Sequence, residues 1–167
     1  MSDTAQAILN AAEERIRQAG YNGFSFRDIA ADTGVKSSSV HYHFPTKEKL
    51  AAAVARRYTD RFMAAVEDHI TAGDDVTSAW RRAFGEALDR DGRMCLCGAL
   101  AATAHDLADE VRQEVKRFFV LGIDRLMATG CSRDAAIRIL ATLEGAMLTA
   151  TVLDDRSAFD SGTTALG

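Results

Sequence analysis

Apolar residues along this chain recur at intervals of three and four, and polar or glycine positions mark where each run stops. Ala5, Ile8, Leu9, Ala12 and Ile16 form the first stripe, which predicts a helix over Thr4–Ala19 with Asp3 as its cap and Gly20 past its end. A shorter run follows Ser25: Asp28, three residues on, completes a capping-box pattern, Ile29 and Ala30 face inward, and Gly34 suits the left-handed residue that ends a helix. From Lys36 to His43 the apolar pattern nearly vanishes, leaving Val40 alone to hold a polar helix down. Pro45, the only proline, disfavours helical backbone at Phe44 and stops that helix. Thr46 is placed to cap the next one, where Leu50, Val54, Tyr58, Phe62, Val66 and Ile70 recur every fourth residue to about Thr71.

The remainder reads the same way. Asp75 caps a helix over Val76–Asp89 with Trp80, Phe84 and Leu88 inward, and Asp91-Gly92 turns the chain into a short apolar helix around Cys97–Ala104. Asp106 and Asp109 read as a second capping box, opening a helix through Val111, Val115, Phe118, Gly122 and Leu126 that Gly130 ends. Ser132 caps a last helix to about Leu153, and residues 154–167, without a helical period, are expected to be a flexible tail. Strand-like alternation is missing, so the fold class is all-α. The expected division is a three-helix head over 1–50, a helical body over 51–153 and the tail.

A core helix does not carry as many hydroxyls and imidazoles as Ser37, Ser38, Ser39, His41, Tyr42 and His43 bring, whereas a helix lying in a DNA groove does. Serines near a helix start donate to phosphates or to either base edge, so they position more than they specify. Tyr42 and Lys47 are the expected phosphate contacts, with Ser25, Arg27 and Lys36 beside them. Lys47 and Lys49 stand at a helix N-terminus, which prefers acids; a bound phosphate would resolve that mismatch. For His41 and His43, DNA contact and packing on the neighbouring helix both stay open.

The run DIAADTGVKSSSVHYHFPTKEKL resembles the DNA-binding region of the TetR family of bacterial transcriptional regulators, on Ile29-Ala30, Gly34-Val35, Tyr42-His43-Phe44 and Lys47-Glu48. It departs from the family pattern at Ser38-Ser39, where many members have a glycine and a small residue, and at His41, where leucine or isoleucine is common. The resemblance covers residues 1 to about 60. It implies a helix-turn-helix head, a ligand-binding and dimerisation body, a homodimer on a palindromic double-stranded DNA operator, and repression released by an effector. It also implies a four-helix dimer interface built from the last two helices, where Gly122, Leu126, Leu143, Gly145 and Met147 are the expected contacts.

Composition changes the picture only in part. The net charge of −4 argues against nucleic acid as a whole, yet residues 1–62 hold 9 basic and 7 acidic residues, net +2, while the rest hold 11 and 17, net −6. Charged residues interrupt the N-terminus before any secretory apolar core forms, and the longest uncharged stretch, Met94–Ala104, is short for a membrane span. Three cysteines, an odd number, fit a reducing cytosol, and the protein is expected in the cytoplasm without a membrane partner.

Trp80, Phe84, Leu88 and Phe118 either line a cavity or fill the core. The expectation is a largely apolar pocket for a small hydrophobic effector, with Met94, Cys97, Leu100 and Met147 in its wall. Cys95 and Cys97, two residues apart on a helix, point to different sides and do not form a metal pair; they read as core or pocket wall. No metal or cofactor is called for, and the chain has no Gly-rich phosphate loop, HExxH or nucleophile elbow, so it reads as a non-enzyme. The alternatives are a thiol- or metal-sensing regulator acting through Cys95, Cys97 or Cys131, and a helical small-molecule-binding or enzymatic protein whose head is only structural.

Overall fold

Side-chain oxygens set the start of most helices in this chain. In the computed structural model, which describes residues 2–166, α1 spans Asp3–Ala19 and is capped by Ser2, whose Oγ accepts from the Ala5 N–H, one residue ahead of the expected Asp3. The chain continues through α2 (Phe26–Thr33), α3 (Ser37–His43), α4 (Lys47–Thr71), α5 (Val76–Asp89), α6 (Leu96–Ala101), α7 (Asp109–Met127), α8 (Arg133–Leu153) and α9 (Arg156–Thr163). Asp75 caps α5 and Ser132 caps α8, as the pattern predicts. The fold is all-α, with no strand among the described residues.

Two further boundaries differ from expectation. Asp106 does not cap α7: it closes a 3-10 turn over Ala104–Asp106, and the first bonds of α7 run from Val111 and Arg112 to the Ala108 carbonyl, each 3.0 Å. Two acids three residues apart satisfied the capping-box spacing while the backbone between them folded into another turn.

The second correction concerns the expected flexible tail. Asp154, in the left-handed region at φ 50°, reverses the chain, and Asp155 accepts from the Ser157 N–H at 2.9 Å to start α9. Phe159 is buried at 1% exposure, and the Arg156 guanidinium lies 5.0 Å over its ring. Gly162 lets α9 approach α8 closely, since a Cβ there would lie 3.1 Å from that of Ala146. One aromatic anchor and one small contact give no hydrophobic period, so the segment looked unstructured.

The helices group into two units. The first holds the chain up to Tyr58 together with Leu96–Lys116; the second holds Thr59–Cys95 and Arg117 onward. This differs from the expected division at residue 50, because α6 and the first turns of α7 group with the N-terminal helices. In the first unit α1 packs on α2, α3 and α6, with Ile8, Leu9, Ala12 and Ile16 buried; Glu13 and Arg57 pair at 2.7 Å and the Arg56 Nε donates to Glu114 at 3.0 Å.

In the second unit α8 packs on α5 and α9. The rings of Phe62, Trp80, Phe84 and Phe118 meet there with centroids 5.0–5.7 Å apart around Phe62. By length and composition alone α8 is apolar enough to cross a membrane, although charged residues interrupt it. Ala136, Leu140, Leu143, Met147 and Ala150 nevertheless turn one side of it into the protein.

Phe159→Ala is expected to lower the unfolding free energy by about 3 kcal/mol, the usual loss for a buried aromatic ring, and to expose α9 to limited proteolysis. A melting curve and protease sensitivity equal to wild type would show that α9 is not packed.

Candidate nucleic-acid interface

Local hydrogen bonds build a rigid frame around α3. Ser25 Oγ accepts from the Asp28 N–H at 3.3 Å, and the Asp28 carboxylate accepts from the Ser25 N–H at 2.8 Å, so the predicted capping box forms. The Ser25 hydroxyl and backbone N–H together hold the Asp28 carboxyl below the usual range. Gly34 adopts φ 70°, ψ 12°, the left-handed conformation required at this corner. At the far end of α3 the Phe44 N–H donates to the Val40 carbonyl at 2.8 Å, the backbone turns extended before Pro45, and Thr46 Oγ1 accepts from the Lys49 N–H at 3.2 Å.

Val40 is the one buried side chain of α3. Ser37, Ser38, His41 and Tyr42 are exposed, and Ser39 and His43 are half-buried. Tyr42, at 84% exposure, is the most exposed large apolar side chain among the described residues. His41 settles on one of its two open readings in part: its ring packs edge-on against Phe26 of α2, centroids 4.5 Å apart, while the residue stays solvent-exposed. The His43 ring meets that of Tyr42 at 5.2 Å. Arg27 and Lys36 are exposed beside these residues, and Ser25 is exposed at the head of α2.

Lys47, expected to contact phosphate, rests on two aromatic rings. Its ammonium lies 4.8 Å from the Tyr21 ring centroid and 4.6 Å from that of Phe24, and burial lowers its pKa against the pull of Glu48 and Asp28. The Tyr21 hydroxyl donates to Glu48 at 3.2 Å; burial, and then Glu48, push the tyrosine up to about 12. The start of α4 is therefore pinned to the turn after α1. Arg15 pins the other side, gripping the Asp32 carboxylate with two nitrogens, one at 2.8 Å, and keeping that carboxyl low. Neither cluster was visible in the sequence, because the partners stand 17 to 27 positions apart without a local spacing signal.

The residues expected to bind an effector are shared between the two units. Cys97 and Leu100 belong to the first unit, and Trp80, Phe84, Leu88, Met94, Phe118 and Met147 to the second. Trp80, Phe84 and Phe118 are fully buried and touch one another or Phe62, as core aromatics do. A cleft of about 400 Å³ in the second unit is lined by charged residues instead, among them Arg81, Arg82, Glu86, Asp89 and Arg156.

Four of the five expected dimer contacts, Gly122, Leu126, Leu143 and Met147, are buried within their own chain. Gly122 is small for an internal reason: a Cβ there would lie 2.9 Å from Trp80 Cη2 and 3.0 Å from Leu140 Cδ1. Gly145 alone faces open space. Cys95 and Cys97 are buried, the half-buried Cys131 thiol donates to the Leu126 carbonyl at 3.1 Å, and no group of three or more metal-ligating side chains occurs among the described residues.

Comparison with known proteins points the same way as the frame. The family model "Bacterial regulatory proteins, tetR family" matches residues 8–54. A crystal structure of a TetR transcriptional regulator from Legionella pneumophila aligns at 30% identity and TM-score 0.87, covering 99% of this chain and 96% of that one. The HTH-type transcriptional regulator RutR of Escherichia coli is 38% identical over 64 residues, which are 38% of this chain and only 30% of RutR. The HTH-type transcriptional repressor LfrR of Mycolicibacterium smegmatis is 36% identical over 86 residues, 52% of this chain and 44% of LfrR.

Ser25→Ala is expected to destabilise the first unit by about 1 kcal/mol through loss of the cap. Because the folded Asp28 pKa is depressed, its contribution is present above the unfolded carboxylate pKa and fades as pH falls through the lower folded value. The difference between Ser25→Ala and wild type should therefore be full near neutrality and shrink in acid. Chemical denaturation across that range checks both points; a difference independent of pH would separate the cap from Asp28.

Proposed function

Because this chain belongs to the TetR family of bacterial transcriptional regulators, we propose that it is a cytoplasmic repressor. It binds a palindromic operator in double-stranded DNA as a homodimer and releases it when a small hydrophobic effector binds the second unit. The observation that carries the reading is the outer face of α3. Ser37, Ser38, His41 and Tyr42 stand exposed on a helix whose only buried anchor is Val40, framed by the α2 cap, Gly34 and Pro45. A polar helix held this way suits the major groove, its serines and tyrosine reaching phosphates and base edges. Two such helices in a dimer read half-sites separated by roughly 34–36 Å or a multiple of it. Repression follows the naming of LfrR as a repressor.

Dimerisation is supported by the solvent face of the last two long helices. Val120 and Met127 of α7 and Ile137, Leu148 and Val152 of α8 are large apolar side chains left exposed, with Gly145 between Ile137 and Leu148 along α8. Exposed apolar side chains gathered on two helices mark an interaction surface. An effector acts by preferring one of two arrangements of such a dimer, and it shifts DNA affinity only by that difference.

Tyr42→Ala is expected to weaken binding to DNA taken from beside the protein's own gene by roughly tenfold, the scale of one lost contact. The melting temperature should not move, since the side chain packs against little. Wild-type affinity should fall linearly with the logarithm of salt concentration, by about 0.9 for each phosphate neutralised. In a mobility-shift titration, equal affinity of Tyr42→Ala and wild type at every salt concentration would remove α3 from the interface.

Gly145→Leu is expected to spare the protomer's own packing, because nothing lies within 4 Å of the Cβ it adds. It is expected to yield folded monomer in sedimentation velocity where wild type is dimeric. A fully dimeric variant would place the interface elsewhere.

A further inference from the structure

The second unit holds a buried carboxyl group with no more than a thiol to bind it. Glu144 sits on α8, and both its carboxyl oxygens are buried with no nitrogen or oxygen donor on them, although the residue as a whole is only half-buried. A buried carboxylate is retained in proteins when a cation or several donors face it, because burial without them is strongly unfavourable. Burial pushes Glu144 up to about 7, and a hydrogen bond from the Cys95 thiol pulls the other way.

The surroundings are those of a binding site for one kind of molecule. Leu140, one turn before Glu144 on α8, and Trp80 both touch the space above Gly122. Met147, one turn after it, accepts the Cys95 N–H on its sulfur at 3.0 Å. Glu144 thus lies along the α8 stripe between a tryptophan and a thioether. The Trp80 ring nitrogen is likewise buried and unpartnered, and that ring belongs to the cluster with Phe62, Phe84 and Phe118. A carboxylate supplies the charge for an ammonium group, and aromatic faces favour the same charge. An ordinary hydrophobic core would place leucine at position 144.

We propose that the effector of this regulator is an apolar amine, an ammonium group carried on an aromatic or aliphatic body, with Glu144 as its counter-ion in the core of the second unit. The inference rests on the reading of the chain as an effector-responsive regulator and narrows the hydrophobic effector to a cationic one. Because the rings now pack on one another, admitting the ligand's body moves aromatic side chains of α5, and the energy of the new ion pair drives that movement.

The test compares naphthylmethylamine with its neutral counterpart naphthylmethanol by isothermal titration calorimetry on the full chain without DNA. At pH about 8, where Glu144 is largely ionised, the amine should bind about tenfold or more tighter than the alcohol, as expected for a buried charge pair. The preference should shrink near pH 6 as Glu144 takes up its proton, while alcohol binding stays level. Glu144→Gln keeps the shape and should abolish the preference without weakening the alcohol.

Equal binding of the two probes at pH 8, no amine binding at millimolar concentration, or an undiminished preference in Glu144→Gln would overturn the proposal. Should that variant fail to fold, the pH dependence of the wild-type preference decides by itself, a level preference counting against the carboxylate. Operator binding in the mobility-shift assay is independent of all these outcomes, so a failure here leaves DNA recognition standing and a failure there leaves the counter-ion measurable.

Discussion

Everything in the first unit depends on holding a seven-residue helix in place through a single buried side chain. A helix as short as α3 has no stability of its own, since two turns repay little of the entropy lost in nucleating it. Val40 supplies its only buried contact. The rest of the restraint comes from the ends: the left-handed Gly34 after a doubly bonded cap at α2, and the extended Phe44 before Pro45. Arg15 on Asp32 and Lys47 over Tyr21 and Phe24 then tie the flanking elements to α1 and to the turn that follows it. Placing the restraint on the neighbours is what leaves Ser37, Ser38 and Tyr42 exposed on the outer face of α3.

Lys47 shows how a residue's role shifts when its surroundings are known. A lysine in the first turn of a helix is electrostatically misplaced, and a phosphate is one remedy. The fold uses another, resting the ammonium on two aromatic faces and placing Glu48, bonded to the Tyr21 hydroxyl, beside it. The same cation can position the start of α4 and still contribute positive potential to the head. Tyr42, with no such packing, is the cleaner reporter of nucleic-acid contact.

The second unit is governed by the opposite constraint, a crowded centre. Phe62 touches three other rings, and Gly122 is a glycine because Trp80 and Leu140 occupy the space a side chain would need. Glycine within a helix costs about 1 kcal/mol relative to alanine, and close internal packing offsets it here. Gly145, with nothing near it, has no such internal reason. Glu144 stands out in this setting as a buried carboxyl among aromatic and aliphatic side chains.

The sequence by itself determined what depends on neighbours within one helical turn. The caps at Ser25, Asp75 and Ser132, the Gly34 corner, the stop at Pro45 and the outward polar face of α3 all follow from spacings of three and four residues, so they were legible before any coordinates. Tertiary structure alone decided what depends on which distant side chain arrives at a given point. It turned Gly122 inward and left Gly145 outward, though both are glycines inside long helices. It grouped α6 with the N-terminal helices and packed α9 through one phenylalanine and one glycine, neither of which makes a period. It also buried Glu144 on a helix whose local pattern gives a glutamate every opportunity to face water. Periodicity reports which face of a helix is apolar; only the arrangement of the other helices says what that face meets.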